Sequence, residues 1–154
     1  SASENCYRLV AQCLNYEIGN HSYSHPHFLD IDIKQAREEI EKTDSLIERI
    51  HREAEIPRTK KLFRFPYNDK GEKNRKDFLK LLDELGYEIQ NYTLDTKDWM
   101  FYLKQGGRTE EQILANCRKA GDGEVVLVHD RRFTAEKIIP FYANSEEYQF
   151  TLPD

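Results

Sequence analysis

Short apolar runs of strand length alternate with longer amphipathic segments along this chain, and that alternation restricts the fold more than any other feature. The clearest helical segment covers residues 32–51, where Ile33, Ala36, Ile40 and Ile47 recur at helical spacing among charged residues. Strands that alternate with helices are typical of βα units around a parallel sheet. The pattern therefore predicts an α/β fold.

Local signals place the ends of several elements. The stretch from Thr109 to Gln112 resembles a capping box at the start of a helix, and Gly86 stands where glycine commonly ends one. The elements are expected to form a single domain over residues 1–154. The predicted helices cover residues 3–15, 32–51, 74–85, 109–120 and 134–142, and the predicted strands cover residues 16–20, 61–66, 87–94, 124–128 and 148–152.

The composition excludes several classes of protein. Hydrophobic residues make up 38% and charged residues 33%, a balance typical of a folded domain rather than a disordered tail. The longest aliphatic run, residues 125–128, is far shorter than the ~20 residues that a membrane-spanning helix needs. A net charge of -5 with scattered Lys and Arg residues provides no broad cationic face for nucleic acid. The chain is therefore expected to span no membrane and to bind no nucleic acid.

Polar residues follow four of the predicted strands directly. His21, Arg64 with Pro66, Asp95 and His129 each lie at or just past the carboxyl end of a predicted strand. The sheets and barrels of α/β proteins build their functional sites at that end. We therefore expect these side chains to meet at one rim of the sheet.

His21 and His25 form the most specific local pattern at this rim. They lie four residues apart, a spacing that on a helical turn would bring both imidazoles to one side, close enough to share a metal ion. Such a pair also arises by chance in a chain with five histidines, so the alternative interpretation is a polar turn.

Four segments together point to a known family. They are residues 19–26 (Gly-Asn-His-Ser-Tyr-Ser-His-Pro), 64–67 (Arg-Phe-Pro-Tyr), 95–99 (Asp-Thr-Lys-Asp-Trp) and 127–129 (Leu-Val-His). In this order they resemble the second to fifth motifs of the polysaccharide deacetylases of carbohydrate esterase family 4, the NodB-homology proteins. The resemblance implies a distorted (β/α) barrel of the polysaccharide deacetylase type, of which this chain would form the C-terminal, larger part.

The resemblance implies a metal site at the first of these segments. His21 and His25 would bind a divalent cation, with zinc favoured over cobalt or nickel, and Ser22 would hydrogen-bond locally to hold the loop. Catalytic zinc keeps three protein ligands and acidifies a bound water, so the implied reaction uses a metal-activated water.

The second segment would stabilise charge. The resemblance implies that Arg64 contacts a catalytic aspartate and that the backbone N–H of Tyr67, fixed by Pro66, points at the developing oxyanion. Taken without the other motifs, Arg64 and Tyr67 would be interpreted as a surface ion pair and a half-buried aromatic residue.

The last two segments would supply a proton and a substrate pocket. The resemblance implies that His129 is the general acid for the leaving amine or alcohol and that Asp98 holds its charged form. Trp99 and Leu127 would wall a small pocket for the acetyl methyl group, and Asp95 would support the loop. From the residues alone, His129 is equally a satisfied core histidine, and Trp99 and Leu127 are equally core residues.

The chain also departs from the family pattern. The family's first motif, Thr-Phe-Asp-Asp-Gly, supplies the general base and the third metal ligand, and no such segment occurs here. His27 and His51 match no motif and are interpreted as non-catalytic. An upstream segment or a companion chain is therefore expected to complete the barrel and bring the missing aspartates. The aspartates Asp30, Asp32, Asp69 and Asp130 are not convincing replacements.

The leading hypothesis is a metal-dependent hydrolase that removes acetyl groups from N- or O-acetylated polysaccharide. The alternatives are a catalytically inactive carbohydrate- or metal-binding relic and, more distantly, an unrelated metallohydrolase on a βα barrel. The acetylated glycan substrate implied by the resemblance also suggests an extracellular or cell-envelope location.

Overall fold

The computed structural model describes residues 17–151, which form two compact units, the first ending at Gln90 and the second beginning at Asn91. The helix predicted over residues 3–15 lies outside the described residues. In the first unit the elements are α1 (Ile33–Glu53), β1 (Leu62–Phe63), α2 (Arg75–Glu84) and β2 (Glu88–Ile89). In the second unit they are β3 (Leu94–Asp95), α3 (Glu110–Cys117), β4 (Val126–Leu127), a π-helix (Thr134–Ile138) and α4 (Ile139–Ala143).

The strands of the first unit run parallel. β1 pairs with β2, with Leu62 opposite Glu88, and Asn20 forms a parallel bridge to Phe63. Because the three chain segments point the same way, their carboxyl ends share one edge. The residues that follow Asn20 and β1 therefore begin at the same edge, as the sequence predicts for this unit.

Helix α1 confirms the clearest prediction from the sequence. The carboxylate of Asp32 accepts a hydrogen bond from Gln35 N (2.8 Å), and the Gln35 side chain accepts one from Asp32 N (3.0 Å), which is a capping box. The helix buries Ala36, Ile40 and Ile47 along one face. The apolar face of α1 is therefore packed inside the unit, and the helix supports the loop that precedes it.

Aromatic rings make up much of the first unit's core. Phe28 is completely buried and packs edge to face against Phe63, Phe65 and Phe78, with ring centroids 5.9, 5.0 and 5.2 Å apart. Burying one such side chain contributes about 1.5–3 kcal/mol. Phe63 and Phe65 flank Arg64, so their burial fixes the backbone at the end of β1.

The second unit repeats the parallel arrangement. β3 pairs with β4, with Leu94 opposite Val126 and Asp95 opposite Leu127. Helix α3 begins at the predicted capping box, since Thr109 caps the backbone of Gln112. The core of the second unit contains Ile113, Cys117, Phe133, Ile138 and Tyr142. None of the helices in the described part of the chain is both long and apolar enough to cross a membrane.

Several strand predictions are too long or wrong. The strand predicted over residues 87–94 is two separate strands, because the polar residues 90–93 lie between β2 and β3. The described residues 148–151 form no strand. Tyr148 instead packs its ring against Tyr142, 5.0 Å between centroids. Burial of this aromatic side chain against α4 takes the place of sheet pairing.

The helix predicted over residues 134–142 changes type partway along. Residues 134–138 are π-helical and α4 follows, with Pro140 in its first turn. Proline has no N–H to donate to the carbonyl four residues earlier, so a regular α-helical ladder cannot continue through this position.

Candidate active site

Asn20 fixes the start of the histidine loop in the first unit. Its side chain is buried, and Nδ2 donates to Ile40 O and to the Tyr87 hydroxyl, each at 2.9 Å. Its Oδ1 accepts a hydrogen bond from Ser22 N (3.0 Å). The amide therefore joins the strand end to helix α1 and sets the direction of the loop. The sequence predicts no role for Asn20, although it lies within the first matched segment.

The imidazoles of His21 and His25 lie side by side. Their ring centroids are 4.9 Å apart with an angle of 73° between the planes. The backbone between them is not a helical turn, because it bends through Ser22 (φ 63°) and His25 (φ 60°), both in the left-handed region. That region is uncommon for residues other than glycine and persists only when surrounding contacts fix it.

The orientation of His21 is set by a backbone carbonyl. Its Nδ1 lies 2.6 Å from Arg64 O. A carbonyl oxygen only accepts, so Nδ1 carries a proton, and in the neutral ring Nε2 then carries the lone pair. Metal-ligating histidines commonly donate their second ring nitrogen to a carbonyl in this way. The end of β1 therefore sets the tautomer of His21.

Side chains also hold the backbone of the loop. Glu39 on α1 accepts hydrogen bonds from Tyr23 N (2.9 Å) and Ser24 N (2.6 Å) with one carboxylate oxygen, and from Ser24 Oγ (2.8 Å) with the other. Ser22 Oγ accepts one from His25 N (3.1 Å). No motif in the sequence marks Glu39 as a site residue.

Tyr67 lies beside the second histidine. It follows the buried Pro66 in a left-handed conformation (φ 55°), and its side chain is 60% exposed. The ring meets His25 edge-on, with 4.5 Å between centroids, and stacks on His27 at 3.8 Å. His27 in turn lies 3.5 Å from Asp69. His27, predicted to be non-catalytic, therefore contacts a residue of the second motif.

Two further polar side chains of the first unit, His51 and Asp69, form hydrogen bonds with the backbone. The ring of His51 is buried and bonds to Ile56 O (3.1 Å). Asp69 accepts hydrogen bonds from Leu29 N and Gly71 N, each at 2.9 Å. Within residues 17–151, no group of three His, Cys, Asp or Glu side chains is arranged to hold a metal ion.

In the second unit, several polar groups form hydrogen bonds to the side chain of Asp98. Its side chain is fully buried, and Oδ1 accepts from His129 Nδ1 (2.7 Å) and Trp99 N (2.9 Å). Its Oδ2 accepts from His129 N (2.7 Å) and Thr134 Oγ1 (2.5 Å). Asp98 and His129 are thus in direct contact. Thr134 is a partner that the sequence motifs do not predict.

These hydrogen bonds determine the charge of the buried carboxyl group. Burial alone would raise the pKa of Asp98, but the hydrogen bonds from Thr134 and from the backbone and ring of His129 outweigh it and hold the pKa below its ordinary value. The group is therefore a carboxylate at neutral pH. A carboxylate only accepts, so the Nδ1 of His129 carries a proton.

Asp95 and Thr96 shape the loop that carries Asp98. Asp95 accepts hydrogen bonds from Lys97 N (2.8 Å) and pairs with Lys97 Nζ (2.7 Å), while Lys97 adopts a left-handed conformation (φ 64°). The buried Thr96 donates its hydroxyl to Leu127 O (2.8 Å). Both contacts fix the chain between β3 and Asp98.

The predicted acetyl pocket stays a prediction. Trp99 is 39% exposed and Leu127 is half-buried. An open groove of about 510 Å³ lies elsewhere in this unit, and neither residue lines it. The groove is formed by Met100, Gly106, Gly107, Arg108, Gln112 and Ala115. The prediction that all four strand ends meet at one rim likewise stays a prediction.

A family model and curated relatives match this chain. The model of the polysaccharide deacetylases matches residues 7–90, more than half of the chain. The chain belongs to the polysaccharide deacetylase family. It is 28% identical over 134 residues to a bifunctional xylanase/xylan deacetylase of Cellvibrio japonicus, a match that covers 87% of this chain and 18% of the relative. It is also 28% identical over 115 residues to the peptidoglycan-N-acetylmuramic acid deacetylase PdaC of Bacillus subtilis (strain 168), covering 74% of this chain and 21% of that protein.

The fold of this deacetylase family member also matches a solved structure. A carbohydrate esterase family 4 pseudoenzyme from Bacillus anthracis has a TM-score of 0.74 and 23% identity, and the match covers 97% of this chain and 49% of that chain. The likeness confirms the predicted fold class, an α/β fold that corresponds to part of the polysaccharide deacetylase barrel. The chain spans about half of this solved structure and about a fifth of each curated relative.

Proposed function

We propose that the protein is a metal-dependent hydrolase that removes acetyl groups from N- or O-acetylated polysaccharide. The observation that carries the proposal is the His21–His25 pair, whose rings lie 4.9 Å apart in a member of a deacetylase family. The curated relatives are named as deacetylases of xylan and of peptidoglycan, which supports an acetylated glycan as the substrate class.

The donor set of the histidine loop fits a divalent cation. His21 presents Nε2 as the basic nitrogen because its Nδ1 bonds to a carbonyl 2.6 Å away, and His25 lies beside it. Imidazole nitrogens are common ligands of zinc, and they also bind cobalt and nickel. When bound, such a cation supplies polarisation of the acetyl carbonyl and acidification of a water molecule. We assign the general base and the third ligand to a segment outside the described residues, upstream or on a companion chain.

His129 is the proposed proton donor to the leaving group. Its Nδ1–H is held by the Asp98 carboxylate at 2.7 Å, which fixes the orientation of the ring and leaves Nε2 as the nitrogen that would carry the transferred proton. Transfer of that proton to the departing nitrogen or oxygen completes cleavage of the acyl bond. The products are acetate and a free amine or hydroxyl group.

The other motif residues have proposed supporting roles. The Tyr67 backbone N–H would stabilise the oxyanion, helped by the turn at Pro66, and Arg64 would orient the catalytic aspartate. Trp99 and Leu127 would line the acetyl pocket. Each of these assignments follows the resemblance to the family's motifs.

Acetate release by the full-length protein tests the proposal. The substrates are acetylated xylo-oligosaccharides, N-acetylglucosamine oligomers and peptidoglycan fragments, each assayed in native buffer, after chelation and after zinc is added back. We expect acetate and free amine or hydroxyl in equal amounts, loss of release on chelation, and recovery with zinc. No release from any substrate with zinc present would contradict the proposal and favour a non-catalytic glycan-binding protein.

A further inference from the structure

We infer that Glu39 is a positioning residue for the metal site, an inference that rests on the proposed function. The side chain extends from helix α1 to the segment between the two histidines. Its carboxylate accepts from Tyr23 N, Ser24 N and Ser24 Oγ at 2.9, 2.6 and 2.8 Å, so both oxygens are used. A carboxylate accepting several donors forms stronger hydrogen bonds than a neutral acceptor.

The conformation of the loop explains why such an anchor is needed. Ser22 and His25 both adopt left-handed backbone conformations, at φ 63° and 60°. The direction of the His25 ring depends on these two angles. Glu39 accepts hydrogen bonds from two of the three peptide N–H groups that link them, so it holds the middle of the bend while Asn20 holds its start.

Helix α1 provides a rigid base for this contact. The neighbouring Ala36 and Ile40 are buried, and Ile40 O also accepts from Asn20 Nδ2. One turn further along, Lys42 Nζ lies 3.5 Å from the centroid of the Tyr23 ring. Two side chains on one helix face therefore contact the same loop.

The geometry distinguishes positioning from direct ligation. Among residues 17–151 no three His, Cys, Asp or Glu side chains are arranged to hold a metal ion, so Glu39 does not complete a ligand set with the two histidines. Its two oxygens instead accept hydrogen bonds from the loop. Its effect on metal binding would pass through the backbone. Groups that orient ligands in this way typically change metal affinity by about 10- to 100-fold when removed.

Two measurements on the full-length protein test the inference, zinc titration by calorimetry and amide hydrogen exchange of Tyr23 and Ser24 in the metal-free state. In Glu39→Gln an amide N–H2 replaces one acceptor oxygen, so we expect a 10- to 100-fold loss of zinc affinity and faster exchange at both amides. Glu38→Gln is the matched control, because this exposed neighbour carries the same charge on the same helix. It should behave as the parent.

A milder variant separates a loss of zinc affinity from a loss of folding. Ser24→Ala removes only one of the three donors to Glu39, and we expect a several-fold loss of zinc affinity with normal thermal stability. Parent-like zinc affinity or unchanged amide protection in Glu39→Gln would overturn the inference. If the parent itself binds no zinc, the proposed function fails and the inference with it, whereas parent binding that Glu39→Gln leaves unchanged overturns the inference alone.

Discussion

The two units hold their functional groups by different means. In the first, Glu39 and Asn20 bond to loop backbone amides, and the two imidazoles follow from a bend with two left-handed residues. In the second, the buried carboxylate of Asp98 bonds directly to the ring of His129. The positions of His21 and His25 therefore depend on backbone geometry, whereas the orientation of His129 depends on contact with a charged side chain. Damage to the first should appear in metal affinity, and damage to the second in turnover and pH dependence.

Asp98→Asn should have the largest effect that is confined to the second unit. The amide cannot accept at both positions, so it places an N–H2 group against donors from His129 or Thr134. We expect turnover to fall by about 10³- to 10⁴-fold through loss of the correct tautomer, and the free energy of unfolding to fall by about 1–3 kcal/mol. Acetate release and denaturant unfolding measure these effects. Zinc affinity should stay at the parent value, and a weakened affinity would contradict the division between the units.

Thr134→Val should have an intermediate effect. The hydroxyl is one of the groups that hold the Asp98 pKa below the ordinary value of 3.8, so its loss moves the pKa upward. A depressed folded-state pKa stabilises the protein fully above the unfolded value, and that contribution is lost as pH falls through the folded value. The variant should therefore lose stability at a higher pH on acidification.

The free energy of unfolding measured against pH checks this shift, and turnover should fall about tenfold, or about 1.4 kcal/mol. Thr134→Ser keeps the hydroxyl and is the control that should restore the parent profile. Identical acid unfolding curves for Thr134→Val and the parent would show that this hydrogen bond does not set the charge of Asp98.

Lys42→Met should have the smallest effect, and it tests whether contacts from α1 to the histidine loop affect metal binding. The ammonium group lies over a Tyr23 ring that is 49% exposed, a contact worth about 0.5–1 kcal/mol at such sites. We expect zinc affinity to fall by about two- to fivefold, with no change in the pH dependence of turnover. Lys34→Met, an exposed lysine on the same helix, is the control. A larger loss than in Glu39→Gln would reverse the order of importance of the two contacts.

Local sequence signals predict where helices α1 and α3 begin. The capping boxes at Asp32 and Thr109 are complete within four residues, so α1 and α3 begin where the sequence indicates. Strand length depends on partners far along the chain, and the strands here are shorter than their apolar runs. Residues 148–151 show the same limit, since aromatic packing on Tyr142 replaces the predicted pairing.

The candidate site likewise contains some residues that the sequence predicts and others that it does not. His21 follows a strand end in the first unit and His129 follows one in the second, so the position of each at the edge of its own sheet could be predicted from the order of elements. Glu39 and Thr134 could not, because their partners lie 15 and 36 residues away and are set by tertiary packing. The bend between the two histidines could not be predicted from their spacing, because contacts from α1 stabilise a backbone conformation that local propensity disfavours.

Zinc content and acetate release, measured together in His25→Ala and His129→Ala, test the central claim most directly. The claim is that the first unit holds the cation and the second supplies the proton. We predict that His25→Ala loses both zinc and acetate release, whereas His129→Ala retains zinc at the parent level and loses most of its turnover. Retention of zinc and activity in His25→Ala, or parent-like turnover in His129→Ala, would contradict the account.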